Sequence, residues 1–185
     1  MSGRVVVVMG VAGSGKTTLA QALAQAWQAT FLDADDFHSP AAKARMTGGH
    51  PLTDRMRAPW VRRIALDLQR RVAAGERVVL AFSGLRRRHR DRLRASGVPL
   101  RFLFLQGDKA LVAARVLARR DHYMPVALVD SQFAALEEPC DEADIFPIRM
   151  EDVPAVQLSQ ALAQIGRFRP DRSPTSIHTH PDEEI

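Results

Sequence analysis

The 185 residues contain one cysteine, Cys140, so no disulfide can close within the chain. A small stapled secreted scaffold is thereby excluded, and a reducing compartment fits; Cys140 is read as a thiol without chemistry. Long apolar runs are missing too. The run over residues 5–9 leads straight into glycine, whereas about 18 or more apolar residues are needed to span a bilayer. No secretory leader is legible, so a cytoplasmic location without a membrane partner is expected. There is no internal repeat and no second domain. Neither sign of charge dominates: 26 Lys+Arg against 21 Asp+Glu give +5. That favours anions in general without selecting nucleic acid over a nucleotide or an anionic metabolite.

What is present is an ordinary globular composition, 46% hydrophobic and 25% charged, in a chain long enough for one three-layer domain. Strand and helix signals alternate. The β-branched run 5–9 reads as a buried strand, and Leu19, Ala22, Leu23 and Ala26 recur at helical spacing over 16–27. Short strands follow at 30–33, 77–82, 100–105 and 144–148. Helices are expected at 40–46, at 60–74 with Pro59 at its start, at 87–96, 109–119, about 125–136 and 153–165. Residues 47–54 read as a loop. Strands separated by helices imply an α/β fold, a parallel sheet flanked by helices on both faces. The domain should span residues 1–166, and the Pro-rich polar residues 167–185 read as a disordered tail.

Residues 10–17, Gly-Val-Ala-Gly-Ser-Gly-Lys-Thr, fit G-x-x-x-x-G-K-[ST] between a strand and a helix, the setting this phosphate-binding loop requires. Gly10, Ala12, Gly13, Ser14 and Gly15 would aim backbone N–H groups inward at phosphate oxygens. Lys16, Thr17 and Thr18 would open a helix whose N-terminus adds its positive dipole end. Lys16 should reach the β- and γ-phosphates of ATP, and the Thr17 hydroxyl should ligate Mg²⁺. The motif fixes a bound nucleotide but not what is done with the phosphate.

The acceptor side is read from Asp33 and Asp35. If the chain stays extended there, both project to one side beside the phosphate loop, one able to hold Mg²⁺ and the other to take the proton of an attacking hydroxyl. Arg115 and Arg119 share a helix face at i, i+4 and lead to Arg120 and His122. The run over residues 86–94 is the densest charge in the chain; with little aromatic surface beside it, it reads as a solvated helix face with Arg90 and Asp91 as a structural pair, rather than a nucleic-acid site.

Larger blocks carry a specific likeness. Residues 33–38, Asp-Ala-Asp-Asp-Phe-His, resemble the D-G-D-D-[FL]-H-P stretch of gluconate kinases. Lys43, Met46, Gly49, Pro51, Leu52, Asp54, Arg57, Pro59 and Trp60 resemble that family's K-M-x-x-G-x-P-L-x-D-x-D-R-x-P-W. Ser83, Gly84, Leu85, Arg86, Arg90 and Asp91 parallel C-S-A-L-K-R-x-Y-R-D. Arg119, His122, Met124, Pro125, Ser131, Gln132, Phe133, Leu136, Glu137 and Pro139 parallel R-x-x-H-F-M-P-x-x-L-L-x-S-Q-F-x-x-L-E-x-P. The likeness runs over about residues 5–139.

This resemblance implies a phosphate-loop kinase fold similar to shikimate and nucleoside-monophosphate kinases, with a small lid at about 119–131. It implies transfer of the ATP γ-phosphoryl group to the 6-hydroxyl of D-gluconate. Lys16, Asp35 and Arg119 would be catalytic. Asp35, His38, Arg57, Ser83, Gly84, Arg86, His122 and Gln132 would line the substrate; Thr17 and Asp33 would serve the metal; Arg115 and Arg119 would serve ATP. Arg57 would receive the carboxylate, for which a forked guanidinium is suited. A homodimer fits the family. Departures fall at Ala34, Ser39, Ala42, Met56, Phe82, Gly84 and Arg86; Ala42 and Met56 each remove a polar group near the expected acceptor pocket. Another small-molecule kinase on this scaffold, such as one for shikimate, and a nucleotide-binding protein that has lost catalysis stay open as alternatives.

Overall fold

The valine run at the start lies at the centre of the sheet, and its alternation divides the core in two. In the computed structural model, which describes residues 4–48, 50, 52–118 and 126–167 (of 126–128 the backbone only), β1 (Arg4–Met9) is followed by α1 (Lys16–Trp27), β2 (Thr30–Asp33), a single 3₁₀ turn (Ala34–Phe37) and α2 (Pro40–Thr47). Then come α3 (Asp54–Ala73), β3 (Arg77–Phe82), α4 (Arg87–Arg94), β4 (Leu100–Gln106), α5 (Lys109–Ala118), α6 (Val126–Ala135), β5 (Ile145–Arg149) and α7 (Pro154–Gly166). The strand order is β2-β3-β1-β4-β5, and every neighbouring pair is parallel.

Val6 and Val8 face a layer that includes Leu19 and Leu23 of α1, Val112 of α5 and Ile165 of α7. Val5, Val7 and Met9 face Trp60, Ile64 and Leu68 of α3 and Leu93 of α4. A strand covered on both faces needs apolar residues at every position, hence the unbroken run. Burying each such side chain contributes about 1.5–3 kcal/mol. The result is the expected three-layer α/β arrangement, with the loops after β1, β2 and β3 gathered at one end of the sheet, where ligands bind in parallel folds.

Two local expectations need correction. Pro59 does not start a helix: α3 begins at Asp54, with Pro59 inside it and Thr53 as its cap, the Thr53 Oγ1 accepting from Met56 N–H at 3.4 Å. An interior proline costs about 3 kcal/mol or more, but Trp60, Val61, Ile64 and Leu68, all buried, offset it. Arg57 therefore sits in the first turn of a helix, ahead of the expected start. Second, the chain is not extended through Asp33 and Asp35. It turns into the 3₁₀ segment at Ala34, because Asp33 Oδ1 accepts the Asp35 N–H at 3.0 Å, the local capping bond that favours turns at aspartate.

At the outer edge, β5 carries Pro147 in register with Phe104. Met150 N–H donates inward to Gln106 O at 2.8 Å, so the two-residue alternation of a strand puts the Pro147 nitrogen on the outward side. The expected lid loop, with Arg119 and His122, and the tail beyond Arg167 lie outside the described residues.

Candidate active site

The phosphate loop has the backbone its glycines allow. Gly13 and Gly15 adopt φ of 83° and 100°, a region other residues enter at a cost. A side chain at Gly13 would also meet Val116 Cγ2 at 2.7 Å. Gly15 caps α1 without any side-chain bond to the first-turn N–H groups, which leaves them for an anion. The Lys16 ammonium donates to Val11 O at 2.8 Å. From the other side of the same peptide unit, Ala12 N–H donates to Gln132 Oε1 at 2.8 Å. Thr17 and Thr18 are exposed on the first turn of α1.

A cleft of about 330 Å³ opens beside this loop, lined among others by Gly13, Thr18, Arg115, Asp152 and Gln157. That volume falls within the range of small-ligand sites. Arg115 is fixed in it by donating to Ser14 O at 3.4 Å and Met150 O at 2.5 Å. Gln157 Nε2 braces the same wall through Arg149 O at 3.0 Å and Met150 O at 3.2 Å.

Across the loop, Asp35 leaves the 3₁₀ turn with its side chain 85% accessible. The surrounding protein and then Asp33 push its carboxyl above the usual value, while Lys16 pulls it back. Beneath it His38 is buried, its ring stacked on Trp60 at 4.4 Å and 10° and its Nε2 3.8 Å from Asp35 Oδ1. Burial, with Arg57, Arg63 and Lys43, lowers the His38 pKa to about 4, so the ring is neutral near pH 7. Trp60 Nε1 donates to Ala34 O at 2.6 Å, which ties α3 to the aspartate turn.

The remaining wall is cationic. Arg57 Nε donates to Leu52 O at 3.3 Å; burial, with Arg86 and Arg88, weakens its hold on its proton while Asp54 and Asp35 oppose this, and it remains a cation. Asp54 is the counter-charge of this wall: Arg86 reaches it at 3.3 Å, Arg88 binds the same oxygen, and the buried His89 lies 3.5 Å from the other. One carboxylate thus faces three arginines, and a second anion is the natural complement.

Comparison with known proteins agrees with this geometry. Residues 5–141 match a family model described as an AAA domain. The thermosensitive gluconokinase of Escherichia coli (strain K12) is 40% identical over 173 residues, 91% of this chain and 92% of that protein. The crystal structure of a gluconokinase from Sinorhizobium meliloti 1021 aligns with a TM-score of 0.81 at 37% identity, covering 89% of this chain and 92% of that one. The chain belongs to the gluconokinase family. A shikimate kinase from Aquifex aeolicus vf5, at 16% identity and a TM-score of 0.58, shares the fold alone. The protein is a kinase of the phosphate-loop α/β class, acting on a small molecule.

Read as a gluconokinase-family site, the structure brings Lys16, Thr17, Asp33, Asp35, His38, Arg57 and Arg86 to one end of the sheet. Ser83 and Gly84 follow β3 there, and Ser83 O accepts Gly10 N–H at 3.2 Å. Two expected roles need correction: Gln132, on α6, reaches the phosphate loop, where its carboxamide oxygen accepts the Ala12 N–H expected to face phosphate. The pairing of Arg90 with Asp91 needs correction. Arg90 is buried and forks onto Glu142, donating from Nε at 3.0 Å and from Nη2; Asp91 instead accepts from Arg94 at 2.6 Å. Arg90 Nη1 also donates to Gly84 O at 2.7 Å and Leu85 O at 3.2 Å, and Nη2 to Glu137 O at 3.2 Å. This frame, with Glu137 and Asp54, was not singled out by sequence reasoning as part of the site. The one available signal was that the Ser131–Pro139 block recurs without a local structural reason.

Proposed function

We propose that this protein transfers the γ-phosphoryl group of ATP to the 6-hydroxyl of D-gluconate, giving 6-phospho-D-gluconate and ADP. The observation that carries the reading is that Lys16 of the phosphate loop lies near enough to Asp35, and Asp35 and Arg86 near enough to Arg57, for their charges to act on one another, in a chain of the gluconokinase family. The phosphate loop holds the triphosphate and Arg115 stands over the adjoining cleft. The Asp35 carboxylate accepts the proton of the attacking hydroxyl. Arg57 pairs with the carboxylate at the far end of the sugar acid. Arg119 and His122, which complete the expected set, belong to this reading as lid groups.

Thr17 and Asp33 supply the hard oxygens that suit Mg²⁺, and Asp33 Oδ1 is engaged with Asp35 N–H while its second oxygen adds acceptor capacity. No group of three or more His, Cys, Asp or Glu converges among the described residues, which suits an ion held largely by phosphate oxygens and water. When bound, Mg²⁺ neutralises charge on the β- and γ-phosphates.

Four of the six arginines in the run are paired within the fold to carboxylates outside it: Arg86 and Arg88 engage Asp54, Arg90 engages Glu142, and Arg94 engages Glu142 and Asp144. This supports a small acidic partner over nucleic acid. No described helix is long and apolar enough to cross a membrane. A coupled ADP-release assay over gluconate, other sugar acids, shikimate and nucleoside monophosphates tests the reading; gluconate should be turned over with the highest kcat/KM, and no gluconate-dependent turnover would overturn it.

A further inference from the structure

Helix α6, whose first half falls within the expected lid span, and the residues just after it touch both halves of the site through bonds of the kind that hold backbone in place. From α6, the Gln132 carboxamide oxygen accepts Ala12 N–H at 2.8 Å. Just past its C-terminal end, Glu137 N–H donates to Leu85 O at 2.8 Å, and Glu137 Oε2 accepts Arg87 N–H at 2.7 Å. Arg90 clamps this second junction by donating at once to Gly84 O, Leu85 O and Glu137 O. Gln132 and Glu137 are five residues apart, so one short stretch of chain, the last turn of α6 and the residues just after it, joins the two junctions.

What each junction holds differs. The Gln132 bond fixes the Val11–Ala12 peptide, whose other end accepts the Lys16 ammonium at 2.8 Å. Hydrogen bonds at the two ends of one peptide polarise each other, so the Gln132 carboxamide acts on the Lys16 resting position through that unit. The Glu137 junction fixes residues 84–87, the loop that presents Arg86 to Asp54 and to the acceptor wall. Any shift of that loop on acceptor binding is passed to a helix whose other anchor is the phosphate loop.

We propose that α6 is a strut coupling the acceptor loop to the phosphate loop, with Gln132 as the positioning residue on the nucleotide side and Glu137 on the acceptor side. Nucleotide and acceptor then bind interdependently, and by linkage each changes the affinity of the other by the same factor. This rests on the proposed reading of the site as a gluconate and ATP site, and it adds a coupling which that reading does not require. Gln132 need not touch either ligand to exert it.

The test is calorimetric, on the full chain, with a non-hydrolysable ATP analogue and gluconate. In the unaltered protein, saturating gluconate should change the affinity for the analogue by about fivefold or more. In Gln132→Ala that factor, taken as the ratio of the variant's own affinities with and without gluconate, should fall toward one while thermal melting is unchanged. Glu137→Gln, which weakens the other anchor, should also lower the factor. Gluconate binding with no effect on the analogue in the unaltered protein would overturn the strut, as would a factor preserved in Gln132→Ala. Failure of gluconate to bind at all is a separate result that overturns the acceptor assignment; the strut is then judged by the same measurement with the acid that is turned over.

Discussion

Arg90 and Glu142, 52 residues apart in the chain, form a buried two-bonded ion pair beneath the acceptor loop. Both are almost fully removed from water, and the remaining Arg90 donors are spent on carbonyls of Gly84, Leu85 and Glu137. Such a pair adds little over a well-packed apolar replacement, but losing one partner strands a charge. Glu142→Ala should therefore lower stability by about 3–5 kcal/mol, measured by denaturant unfolding. A loss below about 1 kcal/mol would show that the pair does not organise this region.

Lys16→Ala should leave the fold intact, because the side chain is half-buried at the first position of α1 and outside the buried core, and should cut kcat by roughly a hundredfold or more, the scale for removing one donor to developing charge. Circular dichroism and steady-state kinetics on one preparation check both halves. Retained turnover would remove the phosphate loop from the chemistry.

Asp35→Asn should lower kcat by about 10²–10⁴-fold, the range for a lost general base. The sign of the pH dependence follows from the raised carboxyl pKa: the base is active when ionised, so activity falls as pH drops through its folded value. The acidic limb of the kcat/KM profile should therefore lie above the ordinary aspartate range and vanish in the variant.

His38 and His89 are both held to a pKa of about 4, by burial first and then by neighbouring arginines, Arg57 foremost. In the unfolded chain they titrate near 6.5. Between these values the unfolded state binds more protons, so stability is fully present above pH 6.5 and is lost on acidification toward pH 4. A plot of melting temperature against pH should slope upward across that window, and His89→Gln should remove about half of the histidine contribution. An unchanged slope would mean that this ring is not the titrating group.

Gly13→Ala places a methyl where Val116 Cγ2 would be 2.7 Å away, on a residue at φ 83°. With strain of about 1–3 kcal/mol, ATP affinity should fall about tenfold or more, read by direct binding. Wild-type affinity would show that the loop can adjust.

Where local rules apply, sequence reading went far. The β-branched run, the glycine-lysine loop and the alternation of elements all rest on short-range sterics and periodicity, and they lead to the central strand, the backbone of the phosphate loop and the three layers. Local competition explains the failures. At Asp33 the side chain captures the Asp35 amide and turns the chain; at Pro59 a Thr53 cap and four buried side chains keep the helix going through a residue that normally opens one. The pairs that hold the site together were illegible for another reason. Arg90 with Glu142, Glu137 with Arg87 and Gln132 with Ala12 join residues 52, 50 and 120 positions apart, and nothing in a neighbouring arginine or glutamate announces such a partner.

The proline on the last strand bears on how these molecules behave in a crowd. A sheet recruits a foreign strand by offering a row of free amide donors along its rim, and Pro147 leaves a gap in that row, facing outward where a newcomer would dock. The opposite rim, β2, is only four residues long. Neither border offers a long, regular template, so the protein guards itself against ribbon-like self-association by the build of its margins.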